Sequence, residues 1–173
     1  QNRKYIPVPD IWVLFAPVKK DKTDFIVEKS VELGCRLLQP VITERTVVDK
    51  IRGERYQAQA VEAAEQCRRV DLPEIAPAAP LAEILAHWDC GRTLFFMDET
   101  GTGVSAVRAF DERKGCPAAL LVGPEGGFSP SELELLRSLP YARAVSLGPR
   151  ILRAETAVAA ALSVWQSVAG DWQ

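Results

Sequence analysis

The sequence predicts an α/β fold, in which helices cover both faces of a mainly parallel sheet. Short β-rich runs alternate with helical patterns along the chain, and this order is typical of βα units. Glycine-bearing loops follow three of the predicted strands, which end at Met97, Val122 and Leu147. The length of 173 residues fits one domain, and a composition of 47% hydrophobic and 25% charged residues is ordinary for a globular protein.

The first half of the chain contains two strand–helix pairs. Gly34 ends the first helix, since glycine is the usual residue just past a helix end. Pro40 lies inside the second strand, and because proline donates no backbone hydrogen bond it must sit at an edge or an end. The predicted elements are a strand over residues 11–15, a helix over 22–33, a strand over 37–42 and a helix over 54–69.

The second half repeats the alternation after a proline-rich connector over residues 73–80. Its clearest helix start has Ser129 as the N-cap, Pro130 at the first helical position and Glu132 as the partner in a capping box. Pro140 ends that helix. The predicted elements are a short helix over residues 81–88, strands over 93–97, 118–122 and 144–147, the helix that Ser129 caps, and an alanine-rich closing helix over 154–168.

Two stretches carry most of the functional information, namely residues 120–129 (LLVGPEGGFS) and residues 147–157 (LGPRILRAETA). Each is typical of a strand that runs into a glycine-containing turn and then a helix. Glycine at such turns permits positive φ and lets the backbone approach a ligand closely. Ligands of parallel sheets bind at the carboxyl ends of strands, so we expect both turns at one edge. The glycine spacing is neither that of a dinucleotide-binding loop nor that of a Walker loop.

These stretches resemble the RsmE family, whose members are S-adenosylmethionine-dependent RNA methyltransferases of the knotted SPOUT superfamily. Residues 28–34 with Glu44 and Arg45, and residues 62–69, agree with the same family. The four motifs occur in order and cover the chain from about residue 21 to residue 165. The resemblance implies a SPOUT-type fold with a C-terminal trefoil knot. It also implies methylation of N3 of a uridine in 16S ribosomal RNA of the small subunit.

The resemblance further predicts how the chain is divided. Residues 1–10 are expected to form a tail or linker, and residues 11–173 the SPOUT methyltransferase domain. The family usually begins with a small β-barrel that resembles RNA-binding PUA domains, and we do not expect this barrel within the chain.

By resemblance, the two glycine turns wrap S-adenosylmethionine in a bent form, and no metal is implied. The carboxylate of Glu125 suits a ligand with a sulfonium and hydroxyls better than one with a pyrophosphate. The four cysteines are too widely scattered for a zinc site or a redox motif. The expected cofactor-binding residues are Met97, Leu121, Gly123, Pro124, Gly126, Gly127, Leu147, Gly148, Ile151, Leu152 and Thr156.

The implied reaction sets a clear chemical requirement. N3 of uridine carries a proton and is a poor nucleophile until that proton leaves, so a base or cationic donors must favour the uracil anion. The remaining task is to align N3 with the methyl group. Arg153 is the leading candidate for stabilising the anion. Glu125 and Glu155 are candidates either for accepting the proton or for orienting the arginines.

The net charge of −2 argues against a protein that grips RNA by charge over its whole surface. Local RNA contacts are expected from Arg150, Arg69 and Gln66, although Arg69 could equally support its helix by pairing with Glu65. The resemblance implies 16S rRNA or the small ribosomal subunit as the partner, and a homodimer whose second subunit helps to hold the RNA. Because no leader and no membrane span are predicted, we expect a cytoplasmic protein.

Three alternatives stay open at this point. The same fold could methylate another RNA position, such as a ribose 2′-oxygen, which needs no deprotonation of N3. A non-catalytic relative could keep the fold and bind RNA, although the intact glycine turns argue for a cofactor. A Rossmann-type oxidoreductase is a more distant alternative, because the glycine spacing differs from the dinucleotide pattern.

Overall fold

A computed structural model describes residues 7–47 and 51–172 of the chain. Residues 1–6 of the predicted tail lie outside the described residues. The strands are β1 Ile11–Phe15, β2 Leu37–Ile42, β3 Glu74–Ile75, β4 Ala79–Pro80, β5 Thr93–Met97, β6 Val104–Ser105, β7 Ala118–Val122 and β8 Ala142–Ser146. The helices are α1 Lys20–Glu32, α2 Gly53–Cys67, α3 Leu81–Ala86, α4 Ala106–Asp111, α5 Pro130–Ser138 and α6 Ala154–Val168.

The described strands form one sheet in the order β3-β2-β1-β7-β5-β8-β6, and β4 pairs with β2 beside β3. Each pairing between them is parallel. The three strands that the glycine-bearing loops follow are therefore neighbours, with β7 and β8 on either side of β5. Their carboxyl ends lie at the same edge, as the sequence predicts.

Helices cover both faces of the sheet, which confirms the predicted layers. A first core, around Phe95 and Phe110, joins one face to α1, α2, α4 and α6. A second core, around Leu136 and Tyr141, joins the other face to α3 and α5. Neighbouring strand residues alternate between the two cores because successive side chains of a strand point to opposite faces. The predicted fold class is therefore confirmed, while the trefoil knot stays a prediction.

Pro40 lies inside β2 without breaking it, and the neighbouring strands explain why. The carbonyl groups of Arg36 and Leu38 accept hydrogen bonds from Glu74 and Ala76, so alternate residues of β2 face the side of β3 and β4. Pro40 belongs to this set and lies between the residues that pair with β3 and those that pair with β4. Its missing donor therefore falls in the interruption between β3 and β4, and the prediction of an edge or end position is wrong, because Pro40 lies inside a strand with neighbours on both sides.

Differences between prediction and structure occur in short elements and at boundaries. The strands β3, β4 and β6 have two residues each, and α4 has six, which is too short to show a period in the sequence. The strand β8 begins two residues and ends one residue before the predicted 144–147, and α1 begins at Lys20 rather than at residue 22. The closing helix covers the predicted residues 154–168.

Candidate active site

The carboxyl ends of β7, β5 and β8 surround a cavity of about 280 Å³. Three segments line it: the turn over residues 122–128, the loop that begins at Met97, and the segment from Leu147 to the start of α6. The lining combines apolar side chains with exposed backbone and several charged groups. This is the usual composition of a small-molecule site, in which an apolar wall carries a few placed polar groups.

Gly127 and Gly148 line the cavity and adopt backbone conformations that other residues rarely adopt. Gly127 has a φ of +67°, and its N–H donates to the carbonyl of Pro124 at 2.9 Å, which closes the first turn. Gly148 has a φ of +111°, and a Cβ placed there would meet no atom within 4 Å. Since Gly148 lines the cavity, its missing side chain keeps this wall open to a ligand.

Arg45, from the segment after β2, holds the first turn from outside the cavity. Its Nη1 donates to the carbonyl of Gly126 at 2.7 Å and to that of Phe128 at 3.3 Å. The same segment is tied to α5, because the backbone N–H of Glu44 donates to Oε1 of Glu132 at 2.9 Å. The sequence motif that contains Glu44 and Arg45 thus supports the glycine turn through backbone contacts.

Lys22 on α1 lies between the two carboxylates that the sequence singles out. Its Nζ is 3.9 Å from Oε1 of Glu125 and 3.9 Å from Oε1 of Glu155. Glu125 lines the cavity and has a side chain that is 38% exposed. The Glu155 side chain is only 15% exposed, lies outside the lining, and has a buried Oε2 without a hydrogen-bond partner.

The two arginines of the second motif are exposed at the cavity mouth. Arg150 and Arg153 both line the cavity, and Arg153 is the N-cap residue of α6. Ile151 lies between them and is 79% exposed, which is unusual for an isoleucine. A cation at a helix start is slightly disfavoured by the helix dipole, so these positions suit an anionic partner.

Most of the predicted site residues meet at this cavity. Leu121 does not line it, because its side chain is fully buried in the second core and the next residue, Val122, faces the site. Gly126 lies on the outer side of the turn beside Arg45, and Thr156 is exposed on α6 outside the lining. The predicted residues that do line the cavity are Met97, Gly123, Pro124, Gly127, Leu147, Gly148, Ile151 and Leu152 for the cofactor, and Glu125, Arg150 and Arg153 for catalysis and RNA.

Arg69 and Gln66 are not brought to this cavity. Arg69 donates to the carbonyls of Val31 at 3.1 Å and Cys35 at 2.8 Å and pairs with Asp71, with its side chain 7% exposed. These contacts lie just before β2, at the edge opposite the cavity. The guanidinium is thus engaged in holding α1 and α2 together, through Asp71 rather than the expected Glu65. Gln66 lies nearby on the last turn of α2 and is exposed.

The loop after β5 brings two carboxylates to the site that sequence reasoning did not single out. Asp98 is buried, which alone would raise the pKa of its carboxyl. Hydrogen bonds from Thr100, Arg137 and Thr102 outweigh burial and hold the pKa at about 2. Glu99 follows it and lines the cavity. The only sequence signal for either residue was the position of this loop after a strand end.

Two negative findings apply to the part of the chain that the structure describes. Within it, no group of three or more His, Cys, Asp or Glu residues is arranged to hold a metal ion. No helix in residues 7–47 or 51–172 has both the length and the apolar character to cross a membrane.

Fold and site together define an α/β domain with a cavity for a small ligand between backbone turns at the edge of a parallel sheet. A family model described as an RNA methyltransferase domain matches residues 4–166 of the chain. The ribosomal RNA small subunit methyltransferase E of Rickettsia conorii is 32% identical over 148 residues, which cover 86% of this chain and 60% of that protein. The protein of the same name from Buchnera aphidicola (subsp. Schizaphis graminum) is 34% identical over 164 residues, covering 88% of this chain and 63% of the relative.

A solved structure agrees with these relatives. The Neisseria gonorrhoeae ribosomal RNA small subunit methyltransferase E, bound to S-adenosyl methionine, matches with a TM-score of 0.88 and 32% identity over 97% of this chain and 70% of that chain. The chain therefore belongs to the RNA methyltransferase domain family that includes ribosomal RNA small subunit methyltransferase E. The resemblance stated from the sequence motifs is confirmed. The chain spans about three fifths of the length of the two curated relatives described above.

Proposed function

We propose that this chain transfers a methyl group from S-adenosylmethionine to N3 of a uridine in 16S ribosomal RNA of the small subunit. The observation that carries the proposal is that both sequence motifs build one cavity, with Arg153 and Glu125 in its wall. Family membership and the relative that binds S-adenosyl methionine support the same function. The proposal requires no metal.

The residues of the cavity fit this cofactor. The open wall at Gly148 lets a flat ring system lie against backbone, where it can bond to N–H and C=O groups. Met97, Leu147 and Leu152 offer apolar contacts. The acidic side chains of the lining favour a ligand that carries positive charge, as S-adenosylmethionine does. When bound, S-adenosylmethionine supplies an electrophilic methyl carbon.

The charged side chains then act on the uracil ring. The proton on N3 passes to a carboxylate oxygen, and we assign this role to Glu125 because it lines the cavity whereas Glu155 does not. Arg153 stabilises the resulting negative charge on the uracil oxygens, as a cationic donor in an oxyanion hole does. The N3 lone pair would then form a bond to the methyl carbon as the bond between that carbon and the sulfonium sulfur breaks, and S-adenosylhomocysteine would leave. Lys22 on α1 holds Glu125 in place, and Glu155 on α6 pairs with the same ammonium group.

The partners follow from the same site. Arg150 is exposed at the cavity mouth and is assigned to an RNA phosphate, which a guanidinium binds well. The small alanines of α6 leave Ala160 and Val164 only partly buried, and we assign this face to a homodimer contact. Ribosomal RNA as the substrate places the reaction in the cytoplasm.

Nucleoside analysis tests the proposed reaction directly. The purified chain is incubated with methyl-labelled S-adenosylmethionine and small-subunit RNA, supplied both as free 16S rRNA and within assembled subunits. The product is then digested to nucleosides. Label in 3-methyluridine is expected, and Arg108→Ala, which changes an exposed residue of α4, should preserve it. Label in a 2′-O-methylated nucleoside, or no label on either RNA, would contradict the proposal.

A further inference from the structure

Glu99 has no role assigned by the sequence motifs, yet it is exposed and lines the cavity. It follows β5, the strand between β7 and β8. Neither a hydrogen bond nor an ion pair joins its side chain to another described residue. Glu125, the other glutamate of the lining, is paired with Lys22. Glu99 is thus a carboxylate at the cavity with free acceptor capacity.

The neighbouring residue fixes the backbone that carries Glu99. The Asp98 N–H donates to the carbonyl of Val145 at 3.0 Å, which anchors the loop to β8. The carboxylate of Asp98 accepts from the N–H of Thr100, the hydroxyl of Thr102 and Nη2 of Arg137, each at 2.9 Å. The loop is therefore held from both sides of Glu99. A group in such a rigid segment is positioned before a ligand arrives.

The first glycine turn is shaped around the Glu99 side chain. Oε1 of Glu99 lies so close to Gly127 that a Cβ at that position would overlap it. Gly127 also needs its positive φ to close the turn with Pro124. Gly127 thus closes the turn and also leaves room for the Glu99 carboxylate. This carboxylate sits directly beside backbone that is expected to receive the cofactor.

The chemistry of the position indicates which part of a ligand it meets. An ionised carboxylate only accepts hydrogen bonds, and its two oxygens can take two neighbouring donors. In dinucleotide-binding sheets, a glycine turn on one strand works with an acidic residue from another part of the sheet that accepts the ribose hydroxyl. Gly127 after β7 and Glu99 after the adjacent β5 reproduce this arrangement. A vicinal diol offers two donors at the spacing of one carboxylate.

We propose that Glu99 accepts hydrogen bonds from the ribose hydroxyls of the bound nucleoside cofactor and makes the site select ribonucleosides. The inference rests on the proposed function, since it assumes that S-adenosylmethionine occupies the cavity. It assigns Glu99 to cofactor binding rather than to the reaction on uracil. Its effect is therefore expected on affinity, for the substrate cofactor and the demethylated product alike.

Calorimetric titration of the whole chain tests this assignment with three probes: S-adenosylmethionine, S-adenosylhomocysteine, and S-adenosylhomocysteine without its 2′-hydroxyl. Glu99→Ala is expected to lower the affinity for both S-adenosylmethionine and S-adenosylhomocysteine by a similar factor of about ten. This is the contribution of a hydrogen bond to a charged group. Removing the 2′-hydroxyl should weaken binding to the wild type by a similar factor. In Glu99→Ala, removing the 2′-hydroxyl should weaken binding little further. Glu83→Ala, at an exposed position of α3, serves as the matched control.

Each other outcome has a defined meaning. A loss confined to S-adenosylmethionine would show that Glu99 reads the sulfonium charge, and this would overturn the ribose assignment. Wild-type affinities in Glu99→Ala would overturn it as well. If the wild-type chain bound none of the three probes, the proposed function itself would fail and the inference with it. Melting curves of each variant confirm that the fold is intact.

Discussion

Two neighbouring glycines in the first motif turn differ in what they require. Gly127 has a φ of +67° and lies against the Glu99 carboxylate, whereas a Cβ at Gly126 would make only ordinary contacts with Arg45, at 3.5 Å and 3.7 Å. Gly127→Ala is expected to lower the free energy of unfolding by about 1–2 kcal/mol or more, from backbone strain alone. Gly126→Ala should stay within about 0.5 kcal/mol of the wild type.

Urea unfolding of both glycine variants checks this difference. Titration with S-adenosylmethionine should show weaker binding for Gly127→Ala, because the alanine methyl displaces Glu99, and near-normal binding for Gly126→Ala. Equal effects of the two substitutions would mean that the positive φ of Gly127 has no importance for the site.

Arg153 is the residue whose substitution should separate catalysis from binding. It is exposed in the cavity wall at the start of α6, and the proposed reaction assigns it to the uracil anion. Arg153→Ala is expected to lower kcat by about 100-fold, as the loss of one oxyanion-hole donor does. The dissociation constant for S-adenosylmethionine should change by less than about threefold. Steady-state kinetics and calorimetry, with Arg108→Ala as control, measure the two effects. A parallel loss in both would place Arg153 in the cofactor site.

Among the elements, α5 depends on a residue that connects three segments. Oε2 of Glu132 accepts from the N–H of Ser129 at 2.8 Å, which completes the capping box. Its Oε1 accepts from the N–H of Glu44 at 2.9 Å. Glu132→Ala removes both acceptors from backbone donors and is expected to cost about 2–3 kcal/mol of unfolding free energy.

Glu134 on the same helix provides the matched control, since it is exposed. Glu134→Ala should cost less than about 0.5 kcal/mol. Chemical denaturation of both variants measures the difference in their unfolding free energies. If Glu132→Ala were as mild as Glu134→Ala, the contact between α5 and the segment after β2 would contribute nothing to stability.

The loop after β5 should give the protein a measurable pH dependence through Asp98. Its folded pKa of about 2 lies below the ordinary value of 3.8, so the carboxylate stabilises the fold above that ordinary value. This stabilisation is lost as the pH falls towards 2. The difference in unfolding free energy between wild type and Asp98→Asn is expected to shrink by about 2 kcal/mol between about pH 4 and about pH 2. A difference that stays constant over this range would contradict the role of Asp98.

How far the sequence predicts each element depends on whether its signals are local. The α5 cap was predictable because Ser129, Pro130 and Glu132 lie within four positions, and α6 because its pattern is long. The contacts of Arg45 and Lys22 were not predictable from the sequence, because each joins segments about 80 residues apart or more. For Arg69, local spacing suggested Glu65, but the turn after α2 brings Asp71 closer.

At the scale of the whole molecule, parallel topology accounts for the site. The segments after β5, β7 and β8 are separated in the sequence by other elements, yet the strand order β7-β5-β8 places their carboxyl ends together. The general rule for parallel sheets predicted that the site lies at the carboxyl ends of the strands. The family resemblance predicted the cofactor. Neither periodicity nor composition predicts a knot, since chain threading leaves no pattern in either.

Calorimetric titration of the chain with S-adenosylmethionine and, separately, with NAD tests directly which cofactor the cavity binds. Saturable binding of S-adenosylmethionine at one site per chain and no binding of NAD are expected, because the cavity has glycine turns and carboxylates but lacks the pyrophosphate loop of dinucleotide-binding proteins. Binding of NAD, or no binding of S-adenosylmethionine, would contradict the assignment of the cavity.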